Sequence, residues 1–405
     1  MNTQTETKAA PASAETAQCP NCNSVGLKHI YDVENVPVHS VLLMNTREEA
    51  INYPRGNVGI GFCDSCGFLT NWRFEHSVHN YSPTYEDPQD FSDTFSSFAQ
   101  KLARDLAEKY KLQGKTALEI GCGKGTFLAR LCEEGKCRGI GIDPSFAPER
   151  NPAPEGTEIE FIQDFYSEQY AHLSADLICC RHTLEHIQPT LEFMKIVRRT
   201  VGDDMDTVIW FELPDGLRVI QEGAFWDIYY EHASYFTLGS LSRVFRQTGF
   251  EVTDLEVVYD NQYLLLTAIP TDGPTEAKLD AEDDMDVLRS AVAIFPEVVQ
   301  RVKQRWLDLI DDAAAKGERV VIWGGGSKGV AFLSTLGVGD KVDYAVDINP
   351  YKSGKFLPGT GHMVVGPDHL TTAPPDHVIV MNPIYKDEIQ KDLDRLNINA
   401  KLYAV

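Results

Sequence analysis

The stretch Leu118-Glu119-Ile120-Gly121-Cys122-Gly123-Lys124-Gly125 decides the fold. An apolar run of strand type breaks into three alternate glycines and opens a helical segment. Glycines let the backbone approach a ligand closely, and a helix start offers free N–H groups. About twenty residues on, Gly139-Ile140-Gly141-Ile142-Asp143 ends the next candidate strand with an acid, placed where a carboxylate accepts both hydroxyls of a ribose. Gln163-Asp164-Phe165 follows a third strand, where an amide and an acid can meet an adenine edge. The order reads as a site for an adenosine-containing ligand and fits NAD as well as S-adenosylmethionine. Two details favour the second. The pattern is E-x-G-x-G-x-G rather than G-x-G-x-x-G, and a glutamate on the strand suits a cationic sulfonium amino acid better than a pyrophosphate. The expected lining is Glu119, Gly121, Cys122, Gly123, Asp143, Asp164 and Phe165, with His182 after the fourth strand.

Strand-type and helix-type segments alternate outward from this loop. Candidate strands fall at 116–120, 138–142, 158–162, 176–180, 207–213, 252–259 and 263–269. The alternation predicts a mostly parallel sheet with helices on both faces. The last two strands are joined only by Asp260-Asn261-Gln262, so they should form a hairpin with one strand antiparallel. Upstream, Phe91, Phe95, Phe98, Leu102 and Leu106 have helical spacing. Downstream, 271–286 is acidic and turn-rich and reads as a linker. An amphipathic helix over 287–316 follows, then strands at 319–323, 341–346, 377–381 and 400–405.

This second series carries its own glycine loop, Val321-Ile322-Trp323-Gly324-Gly325-Gly326-Ser327-Lys328-Gly329, which does match G-x-G-x-x-G. Ser327 and Lys328 at a helix start look like a phosphate cradle. Gly326, Ser327, Lys328, Asp347, Asn349, Lys352, Asn382 and Tyr385 are the candidate substrate-binding residues of this unit.

Before the first loop, Cys19-x-x-Cys22 and Cys63-x-x-Cys66 form two knuckles. Four thiolates complete a tetrahedral set for Zn²⁺ and leave no open position, so the expected role is structural. After the fifth strand lies an aromatic run, Phe225-Trp226-Asp227-Ile228-Tyr229-Tyr230-Glu231-His232-Ala233-Ser234-Tyr235-Phe236. The alternatives are a packing patch or a site in which His232 removes a proton from a weakly acidic carbon. His182 and His186 lie four apart but lack the H-E-x-x-H order, and their position suits cofactor lining.

The 405 residues fit two or three domains. The boundaries read as a disordered tail at 1–18, a zinc-binding module at 19–75, a nucleotide-binding core with its leading linker at 76–270, and a C-terminal Rossmann-like domain at 271–405. A net charge of −23 argues against a nucleic-acid or anionic-membrane binder. No apolar stretch suits a signal peptide or a bilayer span, and nine cysteines suit a reducing compartment, so the expected location is cytoplasmic.

Taken together, Cys19, Cys22, Cys63 and Cys66, the first glycine loop, the Trp226 to Tyr235 run, the second glycine loop and Val346-Asp347-Ile348-Asn349-Pro350 resemble the zinc-containing sugar C-methyltransferases. The resemblance implies an α/β chain with a zinc-binding module, a class I methyltransferase core and a C-terminal Rossmann-like domain. It implies S-adenosylmethionine as methyl donor, a nucleotide-linked 4-keto-deoxysugar as acceptor, and methylation at C3. The family's Tyr-x-Glu-His sequence is matched by Tyr229-Tyr230-Glu231-His232, and its upstream tyrosine by Tyr85 in Tyr85-Glu86. His232 is then the base, with Tyr229, Glu231 and Tyr85 holding the sugar or steadying the enolate. The competing readings are an O- or N-methyltransferase on another small metabolite, an NAD-dependent oxidoreductase using the second loop, and a non-catalytic scaffold.

Overall fold

Three sheets organise the chain in the computed structural model, which describes residues 13–75, 84–85 and 89–405. The first loop sits on a seven-stranded sheet. Its five parallel strands are Val208–Pro214, Leu177–Arg181, Thr116–Ile120, Arg138–Ile142 and Ile159–Ile162, in that spatial order. Tyr263–Pro270 then pairs antiparallel with Val208–Pro214 and with Phe250–Val258, which is the expected hairpin. The helix Asp93–Tyr110 starts at Ser92, whose side chain accepts from Phe95 N, and buries Phe95, Leu102 and Leu106.

The C-terminal sheet is wholly parallel and has five strands, one more than the sequence suggests. The extra strand is Val364–Val365, too short to show a periodicity. The 32-residue helix Met285–Lys316 leads into this domain and ends at Gly317, whose φ of +71° suits a glycine C-cap.

Two boundaries need correction. The tail expected at 1–18 is packed over its last residues, for Ala14 and Ala17 are buried beside Cys19 and Phe68. Residues 1–12 lie outside the described residues, as do Glu86 and most of the 76–90 linker. The acidic 271–286 segment is not a free linker either. Glu282 is buried in an ion pair with Arg246 at 2.7 Å, and Asp284 accepts from Gly239 N at 2.8 Å.

The cysteine-bearing module is not self-contained. Its sheet runs Lys28–Pro37, Arg55–Phe62 and Leu69–Asn71, and the fourth strand is Ser234–Tyr235, which directly follows the His232 turn. One apolar core joins Val58, Ile60 and Phe62 of this sheet to Phe225 and Trp226, to Phe295 and Trp306 of the long helix, and to Ile322 and Phe332 of the C-terminal domain. All three sequence units therefore meet behind the aromatic run. No helix among the described residues is long and apolar enough to cross a membrane.

Candidate active site

The carboxyl edges of the two parallel sheets face one cavity of about 950 Å³. It is lined by Glu119, Gly121, Cys122, Gly123, Asp143, Phe165 and His182 on one side. Gly326, Ser327, Lys328, Asp347, Asn349, Lys352, Asn382 and Tyr385 line the other side, and Tyr85, Tyr229 and His232 lie between.

The first glycine loop is shaped for close approach. At Gly121, φ is +72° and a Cβ would sit 2.0 Å from Thr183 Oγ1, so only glycine fits. Asp143 accepts from Gly123 N at 2.9 Å and Ser145 N at 2.6 Å. Beneath the loop Glu119 is buried with Oε2 unpartnered, and burial pushes its carboxyl up to about 8. Arg181 stacks 3.9 Å from the centre of the Phe127 ring and pairs with Glu212. His182 loses charge to burial but regains it from Glu212 and Glu185, which hold it up at about 9. Its 3.4 Å approach to Glu212 lacks hydrogen-bond alignment, so that contact is electrostatic.

Asp164 is a correction. It does not line the cavity. Its carboxylate is half-buried and taken by Gln169 Nε2 and Tyr170 OH, both at 2.7 Å. The neighbouring Phe165 does line the cavity.

In the aromatic run, Phe225, Trp226 and Tyr230 belong to the core while Tyr229 and His232 face the cavity. Packing patch and functional site thus share one segment. Tyr229 OH lies 2.5 Å from His232 Nε2. Burial, then His186, Lys328 and His182, hold His232 well below the usual histidine range, so the imidazole is neutral. Burial pushes the Tyr229 phenol well above its ordinary value, so Tyr229 donates and His232 Nε2 accepts.

Glu231 is the second correction. It does not line the cavity. Its carboxylate binds His39 Nδ1 at 3.0 Å, Ser40 N at 2.8 Å and the Ser40 hydroxyl. Burial opposes its charge, but the His39 bond and charge, His186 and the Ser40 bond outweigh it and hold the carboxyl down at about 2. Glu231 therefore anchors the turn rather than touching a substrate.

His186 is the residue whose importance the sequence understated. Its ring lies 5.1 Å from that of His232, and its Nδ1 is 3.0 Å from the Glu231 carbonyl oxygen. Its place at the carboxyl edge of the fourth strand was visible, but its partner lies 46 residues on. Gln89 and Gln262 also line the cavity.

On the C-terminal side, Lys328 Nζ is committed to Asp227 at 2.6 and 2.7 Å, and burial pulls its pKa down. Lys352 pairs with Asp347 at 3.1 Å. Asn382 Oδ1 accepts from Gln262 Nε2 at 3.0 Å, and the Tyr385 and Tyr259 hydroxyls are 2.9 Å apart, so both residues tie the two domains together.

Away from the cavity, Cys19 Sγ lies 3.7 Å from Cys66 Sγ, and Cys22 Sγ lies 3.7 Å from Cys63 Sγ. All four sulfurs lie within 4.8 Å of one another. A tetrahedron of Zn–S bonds of about 2.3 Å has edges of about 3.8 Å, so the donor set fits zinc.

Two family models match the chain. A methyltransferase-domain model matches residues 92–255, and a C-methyltransferase C-terminal domain model matches 271–401. The chain is 25% identical to the C-methyltransferase NovU of Streptomyces niveus over 307 residues, covering 72% of each protein. The chain is an S-adenosylmethionine-dependent methyltransferase with a C-methyltransferase C-terminal domain. It is also 45% identical to the 2-ketoarginine methyltransferase of Streptomyces arginensis over 56 residues, which is 14% of this chain and 16% of that one. The solved 1,6-didemethyltoxoflavin-N1-methyltransferase of Burkholderia thailandensis aligns with 44% of this chain and 82% of its own, at 18% identity and a TM-score of 0.35. Methyl transfer as the activity removes the oxidoreductase and scaffold readings.

Proposed function

We propose that this C-methyltransferase acts on the enolisable C3 of a nucleotide-linked 4-keto-deoxysugar, with His232 as general base. The observation that carries the reading is the neutral His232 imidazole, hydrogen-bonded to the Tyr229 phenol inside a cavity shared by both glycine loops. The match to a 2-ketoarginine methyltransferase, whose named substrate is itself a ketone, favours an acceptor carbon beside a carbonyl.

Bound S-adenosylmethionine supplies an electrophilic methyl group on sulfur, and Gly121, Gly123, Asp143 and Phe165 would hold it. The Tyr229 hydroxyl swings from His232 Nε2 to the ketone oxygen. That frees the nitrogen lone pair to take the C3 proton and leaves a phenol donor on the developing enolate. Tyr85, buried against Val41 and Leu42, walls the acceptor. The anionic end rests at Gly326, Ser327 and the start of the helix Ser327–Leu336. Lys328 and Lys352 would share their charges between Asp227, Asp347 and the ligand. The four-cysteine cluster would hold a structural zinc that fixes the N-terminal module.

His232→Ala tests the base. Turnover, and solvent deuterium incorporation at the acceptor carbon, should both fall by roughly 10²–10⁴, with methyl-donor affinity unchanged. Because burial lowers the His232 pKa, the acid limb of kcat/KM should lie below the roughly 6.5 of a free histidine. Retained deuterium exchange in the variant would remove His232 from the role. Native mass spectrometry should count one zinc per chain, and Cys63→Ser should lose it together with several degrees of Tm.

A further inference from the structure

Ser40 joins three parts of the chain that the sequence separates widely. It follows the strand Lys28–Pro37 of the cysteine-bearing module and is buried, as is His39. Its backbone N–H and its hydroxyl both reach Glu231 Oε2, in the catalytic turn. The same hydroxyl lies 2.8 Å from Ser327 Oγ, at the first position of the helix after the second glycine loop.

The Ser40 hydroxyl is placed to donate in both contacts. A serine hydroxyl carries one proton, and an ionised carboxylate only accepts. Ser40 therefore gives its proton to Glu231 or to Ser327, but not to both at once. A phosphate oxygen at the helix N-terminus also requires a donor. Ser327 accepts from Ser40 and keeps its own proton for that anion. Donation to the anion makes Ser327 Oγ a better acceptor, so the Ser40 proton turns to Ser327 and removes a hydrogen bond from Glu231.

Glu231 passes the change on. Its carbonyl oxygen is 3.0 Å from His186 Nδ1, and its chain neighbour is His232. The geometry points to Ser40 as a positioning residue that couples anion binding at Ser327 to the alignment of the His186–His232 pair. The coupling rests on the reading that the second loop holds the anionic end of the acceptor. It makes that end an organiser of the base as well as a handle, so an acceptor lacking it loses kcat and not only affinity.

The test uses the full-length, zinc-containing protein saturated with S-adenosylhomocysteine and labelled at histidine ¹³Cε1. Inorganic pyrophosphate is titrated in, with NMR and calorimetry read in parallel. In the wild type the His232 and His39 signals should move in step with pyrophosphate saturation. Ser40→Ala removes the proton that turns from Glu231 to Ser327. It should bind pyrophosphate within a few-fold of the wild type while the His232 signal stays still. A purely structural role for Ser40 predicts loss of pyrophosphate binding instead. Ser327→Ala keeps both Ser40 bonds to Glu231. It should bind pyrophosphate about tenfold more weakly, for one lost charge-assisted hydrogen bond, and leave His232 still at saturation. Full His232 movement in Ser40→Ala, or wild-type binding that moves no histidine, overturns the coupling alone. Absence of wild-type binding overturns the assignment of the loop, and the coupling with it.

Discussion

At the first glycine loop, Asp143 accepts from Gly123 N at 2.9 Å and from Ser145 N, two residues ahead of itself, at 2.6 Å. At the second loop, Asp347 accepts from Gly325 N at 2.9 Å and from Asn349 N, also two residues ahead, at 2.8 Å. The backbone device is the same: a strand-end aspartate ties the glycine loop to its own turn. The surroundings differ. Among the described residues no cation pairs with Asp143, and Glu119, on the strand that leads into its loop, is buried with Oε2 unpartnered. Asp347 is neutralised by Lys352, and Ser327 and Lys328 follow its loop. One fold motif thus makes two kinds of site. The first leaves its aspartate without a cation partner and the second holds its aspartate in an ion pair with lysine; under the proposed function these suit ribose hydroxyls and an anion in turn.

The largest test of this contrast is Asp143→Asn. It keeps an acceptor for one of the two loop amides, sets an NH2 group against the other, and removes the charge that ribose hydroxyls would meet. Calorimetry should show about a hundredfold weaker S-adenosylhomocysteine binding, since each hydrogen bond to a charged group contributes about 1.5–3 kcal/mol. Unchanged affinity would mean that the ribose sits elsewhere. Lys352→Ala comes next. It should weaken pyrophosphate binding about tenfold and leave the methyl donor alone. An effect on the donor and none on pyrophosphate would invert the comparison. The smallest change is expected from Asp347→Asn, which releases Lys352 from its partner. Pyrophosphate should bind a few-fold more tightly, by roughly the strength of one partly screened ion pair. Weaker binding would show that Asp347 touches the ligand itself.

Both loops were legible because their signals are local. A glycine at φ +72° or a strand-end acid is a backbone requirement, and backbone requirements appear at fixed spacing. The four cysteines were legible for the same reason. Asp164 was misplaced because a strand-end acid there satisfies the adenine-edge pattern equally well whether it faces the ligand or, as here, Gln169 and Tyr170. Glu231 was misplaced because a carboxylate beside a base reads as part of the site, although its direction is decided by His39 and Ser40, almost 200 residues earlier. His186 was seen but undervalued for want of a visible partner.

By itself the sequence determined the order of the units, the hairpin that closes the large sheet, the two glycine loops and the thiolate cluster. Each follows from periodicity, turn chemistry or metal-ligand spacing within a few residues. Only the tertiary structure decided that Glu231 and His232, adjacent in the chain, serve opposite sides of one turn. It also decided that the cysteine-bearing module shares a sheet with Ser234–Tyr235 and brings Ser40 between the Glu231–His232 turn and the second loop. The reason is physical. A side chain's identity is written locally, but its direction and its hydrogen-bond partner depend on which distant segment the core packs against it.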